Sequence, residues 1–202
     1  MNGKPEADPG GLRTFLALPL HDYFAAELRD TVEALRPVTE GMRWLEPAAI
    51  HITLHFFGPT MPEEVQTIRS AVTAVTDASA PLLIALRGLG FFPDAHRPKV
   101  LWAGVADDGN ALVLLREALE KQISRAGFPV ETKPFRAHAT IARIRDPHRF
   151  RLRRELPSGF PHTGTRTIDH LVLFQSHLSP EGARYEALDV YPLSKGAFTR
   201  AV

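Results

Sequence analysis

Two tetrapeptides constrain this chain more than anything else in it: His51-Ile52-Thr53-Leu54 and His138-Ala139-Thr140-Ile141. Both read His-x-Thr-apolar, inside the short apolar runs HITLHFFG (51–58) and HATIAR (138–143). In a strand, residues i and i+2 share a face. Each motif therefore sets one imidazole beside one hydroxyl, while Ile52 and Leu54, or Ala139 and Ile141, turn into a core. With nine histidines in the chain, composition alone yields about 0.4 such tetrapeptides. Two copies, each on a strand with similar elements around it, predict two strands facing one another across a cleft.

A length of 202 residues at 44% hydrophobic content suits one domain, or two small lobes sharing a core. The net charge of +1 gives no general attraction to polyanions, so any nucleic-acid contact is local. The absence of cysteine excludes a disulfide framework, a thiolate nucleophile and a cysteine-ligated metal. It fits a reducing cytosol, and a cytoplasmic location is expected. No apolar run reaches the roughly 18 residues of a membrane helix. The first residues, MNGKPEADPGG, lack the apolar centre of a signal peptide. Residues 1–11 read as a disordered leader, 12–193 as one bilobal domain and 194–202 as a tail.

Strands are expected at 12–18, 42–45, 50–57, 82–89, 100–105, 134–143, 167–176 and 184–191. Gly58-Pro59 is expected to stop the first motif strand. Apolar spacing predicts helices over 21–36, about 63–78 and 111–126, the last ended by Gly127. The arginine-rich segment 145–154 has room for a short helix. Each half thus holds strands, a long helix and one motif strand. The fold class is α+β: two pseudo-symmetric lobes, with antiparallel sheets flanking a central cleft and helices outside.

Two facing histidines can divide acid–base work, one accepting a proton from water and the other donating to a leaving oxygen. The threonine hydroxyls can donate to the oxygens of an anionic centre between the rings. A phosphodiester fits this arrangement. An acyl substrate fits less well, because no serine or cysteine nucleophile adjoins either histidine.

Paired His-x-Thr-apolar motifs resemble the signature of the two-histidine phosphoesterases. More closely, the chain resembles the RNA 2′,3′-cyclic phosphodiesterases, also called 2′-5′ RNA ligases, over residues 12–193. RTFLALPL, RWLEPAAIHITLHFFG, LRGLGFFPDAHRPKVLWAGV, GFPVETKPFRAHATIAR and LVLFQSHLSPEGARYEAL carry the likeness in that order. The resemblance implies hydrolysis of a 2′,3′-cyclic phosphate, on RNA or a nucleotide, to a 2′-phosphate. It implies His51 as proton donor, His138 as proton acceptor, and Thr53, Thr140 and Arg143 around the phosphate. Phe15 would lie against the base. No metal and no cofactor are implied, and a monomer is expected. Family members often carry proline before the second histidine, where this chain has Ala137.

Some readings stay open. Simple alternation puts Arg143, five residues past His138, on the opposite face. His55 shares the face of His51 and Thr53, as a cleft or rim residue, or as half of a metal pair. Trp44 and Trp102 read as core or cleft wall. The run RIRDPHRFRLRR (143–154) reads as a solvated face or an RNA track. Ligation through 2′-5′ linkages and a non-catalytic nucleotide- or RNA-binding module are the alternative functions.

Overall fold

The computed structural model describes residues 11–156, 160–179 and 182–193. The expected tail and all of the leader except Gly11 lie outside them. Strand β1 (Leu12–Pro19) leads into helix α1 (His21–Leu35), then β2 (Thr39–Glu40), β3 (Met42–Trp44) and β4 (His51–Thr60). Helix α2 (Glu64–Thr76), β5 (Leu82–Phe92), β6 (Val100–Asp107) and helix α3 (Ala111–Arg125) follow. The chain closes with β7 (His138–Ile144), β8 (Arg151–Leu152), β9 (Arg166–Ile168), β10 (His170–Ser179) and β11 (Gly182–Pro192). The arginine-rich segment is a turn followed by the short β8, not a helix.

Two antiparallel sheets form the lobes, with strand orders β11-β10-β1-β4 and β3-β7-β6-β5-β9. A two-stranded ribbon, β2-β8, stands apart from them. The lobes are not the two halves of the chain. Strand β3, from the first half, joins the sheet of the second motif, and β10 and β11 return to the sheet of the first. The single strand expected at 167–176 is two. It breaks at Asp169, because β9 pairs with β5 in one sheet while β10 pairs with β1 in the other. Two sheets cannot share one straight strand here, so the chain changes lobes at that residue.

Strand β4 also outruns its expected stop. It continues through Gly58 and Pro59 to Thr60, pairing with β1 as far as Leu12. Strand β4 is an edge strand, and an edge tolerates the missing N–H of proline. The Thr14 and Thr60 hydroxyls, 2.7 Å apart and buried, tie this end.

The apolar faces predicted from spacing form the core. Ile52, Leu54, Ala139 and Ile141 are all buried, as are Leu112, Leu115, Leu119 and Ile123 of α3. Helix α3 packs against α2 and reaches the back of β4 through Arg116 and Glu120, and just beyond its end the Phe128 ring meets Phe57 edge to face at 5.5 Å. Helix α1 sits near β9 through an ion pair between Glu27 and Arg166 at 2.7 Å.

Gly104 lies opposite His138 in the register of β6 and β7. A β-carbon there would collide with the Arg87 carbonyl oxygen, which is rigid backbone. Gly104→Ala is expected to cost about 1–3 kcal/mol of stability, typical of forced overpacking. Urea unfolding should show a lower midpoint with an unchanged slope.

Candidate active site

Strands β4 and β7 lie against each other where the two sheets meet. His51 opens β4 and His138 opens β7. The two rings are held alike. The Nδ1 of His51 lies 2.9 Å from the Ala49 carbonyl oxygen, and that of His138 lies 2.7 Å from the Arg136 carbonyl oxygen. A carbonyl can only accept, so each Nδ1 carries the hydrogen and each Nε2 is left to accept or donate a proton. Thr53 and Thr140 follow on the same faces, half-buried.

Arg143 joins this face through a β-bulge. Trp102 pairs with Thr140, but the next β6 residue, Leu101, pairs with Ala142, leaving Ile141 without an opposite number. Ile141 and Ala142 both point into the core, and alternation restarts with Arg143 on the side of His138. The same bulge occurs in β4. Ala17 pairs with Thr53 and Leu16 with His55, so Leu54 is the extra residue. Both bulges sit three residues past the histidine, and each re-aims a side chain. In β7 the side chain brought to the cleft is Arg143; in β4 it is Phe56.

This bulge corrects the expected place of His55. It points away from the cleft, is only 5% exposed, and bonds through Nδ1 to Glu120 at 2.9 Å. His51 and His55 therefore share no face and form no metal pair. Among the described residues no cluster of three or more His, Cys, Asp or Glu side chains could hold a metal.

Aromatic rings wall both histidines. Phe15 packs on His51 at 4.8 Å, and Tyr185 meets His51 edge-on at 5.1 Å. Phe174 stacks on Phe15 at 5.3 Å. Phe15 is 3% exposed, whereas Phe56, stacked beside it at 6.4 Å, is 48% exposed. In the free protein Phe15 is thus a floor beneath His51. On the other side Phe92 meets His138 edge-on at 4.8 Å, backed by Trp102. Trp102 stands opposite Thr140 as cleft wall, and its indole fills the space where Gly90 would carry a β-carbon. Trp44, opposite Ala142, packs on the core under Arg36.

Spacing alone did not single out Phe56, Phe92, Phe174 or Tyr185. Phe92 belongs to a run expected to be loop, and Tyr185 and Phe174 reach the site only because β10 and β11 return to the first sheet. Arg43 pairs with Arg143 across β3 and β7, on the same face. In the basic run, Arg149 pairs with Asp146 at 3.7 Å and Arg153 pairs with Glu40.

Burial pushes His51 down to about 4, well below the ordinary imidazole range, although its bond to Ala49 opposes the shift. The positive charge of Arg143 lowers it further, and so does the neighbouring His138 ring. Both groups therefore bear electrostatically on the His51 ring.

A family model described as the 2′-5′ RNA ligase superfamily matches residues 24–179. The chain belongs to that superfamily. An Archaeoglobus fulgidus protein named RNA 2′,3′-cyclic phosphodiesterase is 30% identical over 182 residues, covering 89% of this chain and 99% of the relative. A protein of that name from Aeropyrum pernix is 32% identical over 151 residues, covering 73% and 84%. Among solved structures, the TT0787 protein of Thermus thermophilus matches at 27% identity and a TM-score of 0.72, covering 90% of this chain and 98% of that one. The LigT protein of Escherichia coli, solved with 3′-AMP, shares the fold at a TM-score of 0.73 and 20% identity, covering 92% and 99%. This 2′-5′ RNA ligase superfamily member therefore carries both motifs within a fold that spans nearly the whole of its structural neighbours.

The charges around His51 give a direct test. In an NMR titration of the free protein, the His51 ring should titrate near 4. Removing a neighbouring positive charge favours the imidazolium, so Arg143→Gln should move that midpoint upward. An unmoved midpoint would place Arg143 too far from the ring to matter.

Proposed function

We propose that this chain hydrolyses a 2′,3′-cyclic phosphate, on RNA or a nucleotide, to a 2′-phosphate. The matching arrangement of the two imidazoles carries the reading: each Nδ1 is held by a carbonyl, so both Nε2 atoms are free for proton transfer. His51 donates a proton to the departing 3′ oxygen, and His138 takes one from the attacking water. Thr53, Thr140 and Arg143 hold the phosphate oxygens. Such preformed donors stabilise charge as it builds on the phosphorus centre. The half-buried aromatic walls limit water around them.

The proton balance needs one further step, because His51, with its midpoint near 4, is neutral at pH 7 in the free protein. A cyclic phosphate brings a negative charge beside the ring. That charge favours the imidazolium and raises its pKa. Substrate binding therefore loads the donor. The low free-state value also favours a second reading, in which His51 is the base and His138 the acid.

The pH profile tests this loading. The free enzyme is reported by kcat/KM and the complex by kcat. The limb that His51 sets near pH 4 in kcat/KM should move to higher pH in kcat, by about one unit or more. An unmoved limb would mean that substrate binding does not load the donor.

The activity itself is tested with a 2′,3′-cyclic-phosphate RNA end in EDTA, with the position of the product phosphate determined. A 2′-phosphate is the expected product. His51→Ala and His138→Ala should each lower turnover by about 10²–10⁴, the worth of one positioned acid or base. Near-normal turnover in either variant, or loss of activity in EDTA, would overturn the mechanism.

A further inference from the structure

The two bulges differ in how their carbonyls are held. The Ile141 carbonyl accepts the backbone N–H of Leu45, just beyond β3, at 3.0 Å. This is possible because β3 lies outside β7 in the sheet. Strand β4 is an edge with no outer neighbour among the described residues. The equivalent carbonyl, that of Leu54, accepts instead from a side chain: Nε of Arg116 on α3, at 3.1 Å.

Arg116 is itself fixed from three sides. Its Nη2 lies 3.0 Å from Glu120 Oε1, which also accepts from His55 Nδ1 at 2.9 Å. The Arg116 and Glu120 side chains are 11% and 13% exposed, and that of His55 is 3% exposed. His55 is the residue that the bulge turns inward, so the carboxylate grips both the bulged strand and the guanidinium. The third contact is the Phe135 ring, with the guanidinium carbon 4.9 Å from its centroid. Phe135 lies three residues before His138. One buried cation thus touches the bulge after Thr53 and the approach to the second motif.

We propose that Arg116 is a positioning residue for the reaction. It takes the place of the strand that β4 lacks, holds the Leu54 bulge, and so keeps Thr53 and Phe56 on the cleft face in register with the second motif. Glu120 and His55 orient it. A charge-assisted bond to a carbonyl is stronger than a neutral one, which suits a single contact standing in for a strand. The proposal rests on the catalytic reading of the two motifs given above.

Arg116→Lys separates positioning from plain stability. Lysine keeps the charge beside Glu120, but one ammonium cannot reproduce the separate Nε and Nη2 contacts of a guanidinium. The expected result is a folded protein of near-normal melting temperature, with kcat lowered about tenfold or more and KM changed less than about threefold. The backbone amide signals of Leu54 to Phe56 should move in the NMR spectrum. A folded variant with kcat within about twofold of the parent and unmoved amides would overturn the proposal. If Arg116→Lys does not fold, Glu120→Gln carries the same test, because it loosens Arg116 while keeping an acceptor for His55. Running His51→Ala alongside keeps the two claims apart. A dead His51→Ala beside a normal Arg116→Lys removes the positioning role alone. An active His51→Ala removes the catalytic reading beneath it.

Discussion

A strand with one buried face can offer only every second side chain to the other side. At this site that constraint acts on β4 and β7 together. Ile52, Leu54, Ala139 and Ile141 are buried, and burying such side chains is favourable by about 1.5–3 kcal/mol each for the larger ones. The apolar backs of the two strands therefore hold His51, Thr53, His138 and Thr140 toward the cleft. A one-residue slip would turn every one of them into the core. The chemistry of the front is pinned by the packing of the back.

The bulges at Leu54 and Ile141 modify that rule at equivalent points in the two strands. Without them, the fifth residue after each histidine would face inward. With them, Arg143 and Phe56 enter the cleft and His55 leaves it. The pseudo-symmetry of the backbone thus places unlike chemistry at equivalent positions, a cation on one side and an exposed ring on the other. The Arg143 charge then falls on His51 and lowers its proton affinity in the free protein. The aromatic rings that crowd His51 come from three separate strands, β1, β10 and β11. Burial of the ring contributes most to that shift.

Membership of the 2′-5′ RNA ligase superfamily and the disposition of the motifs fit together in one physical picture. A superfamily of shared fold can carry different chemistry on its site, so the local geometry matters here. Both imidazoles have Nδ1 held by a backbone carbonyl, which leaves Nε2 as the atom that can exchange a proton. The edge position of β4 is the weak point of that arrangement. An edge strand has unpaired backbone groups, and here a guanidinium from α3 occupies one of them.

The helices at 21–35, 64–76 and 111–125 and most strands were legible from the sequence, because periodicity of apolar residues is a local property. So was the juxtaposition of imidazole and hydroxyl within each motif, since it follows from a period of two. Three features were not legible. The lobe crossing at Asp169 and the return of β10 and β11 depend on which sheet has a free edge, which no local pattern states. The bulges depend on the register between β4 and β1 and between β7 and β6, so the faces of His55 and Arg143 could not be read from spacing. The contact from Arg116 to Leu54 joins residues 62 positions apart, and only the packing of α3 behind β4 brings them together. The sequence by itself determined which side chains stand beside each histidine along its own strand. Tertiary structure decided which residues meet them across strands, because strand register and sheet order are set by pairing and burial over the whole chain.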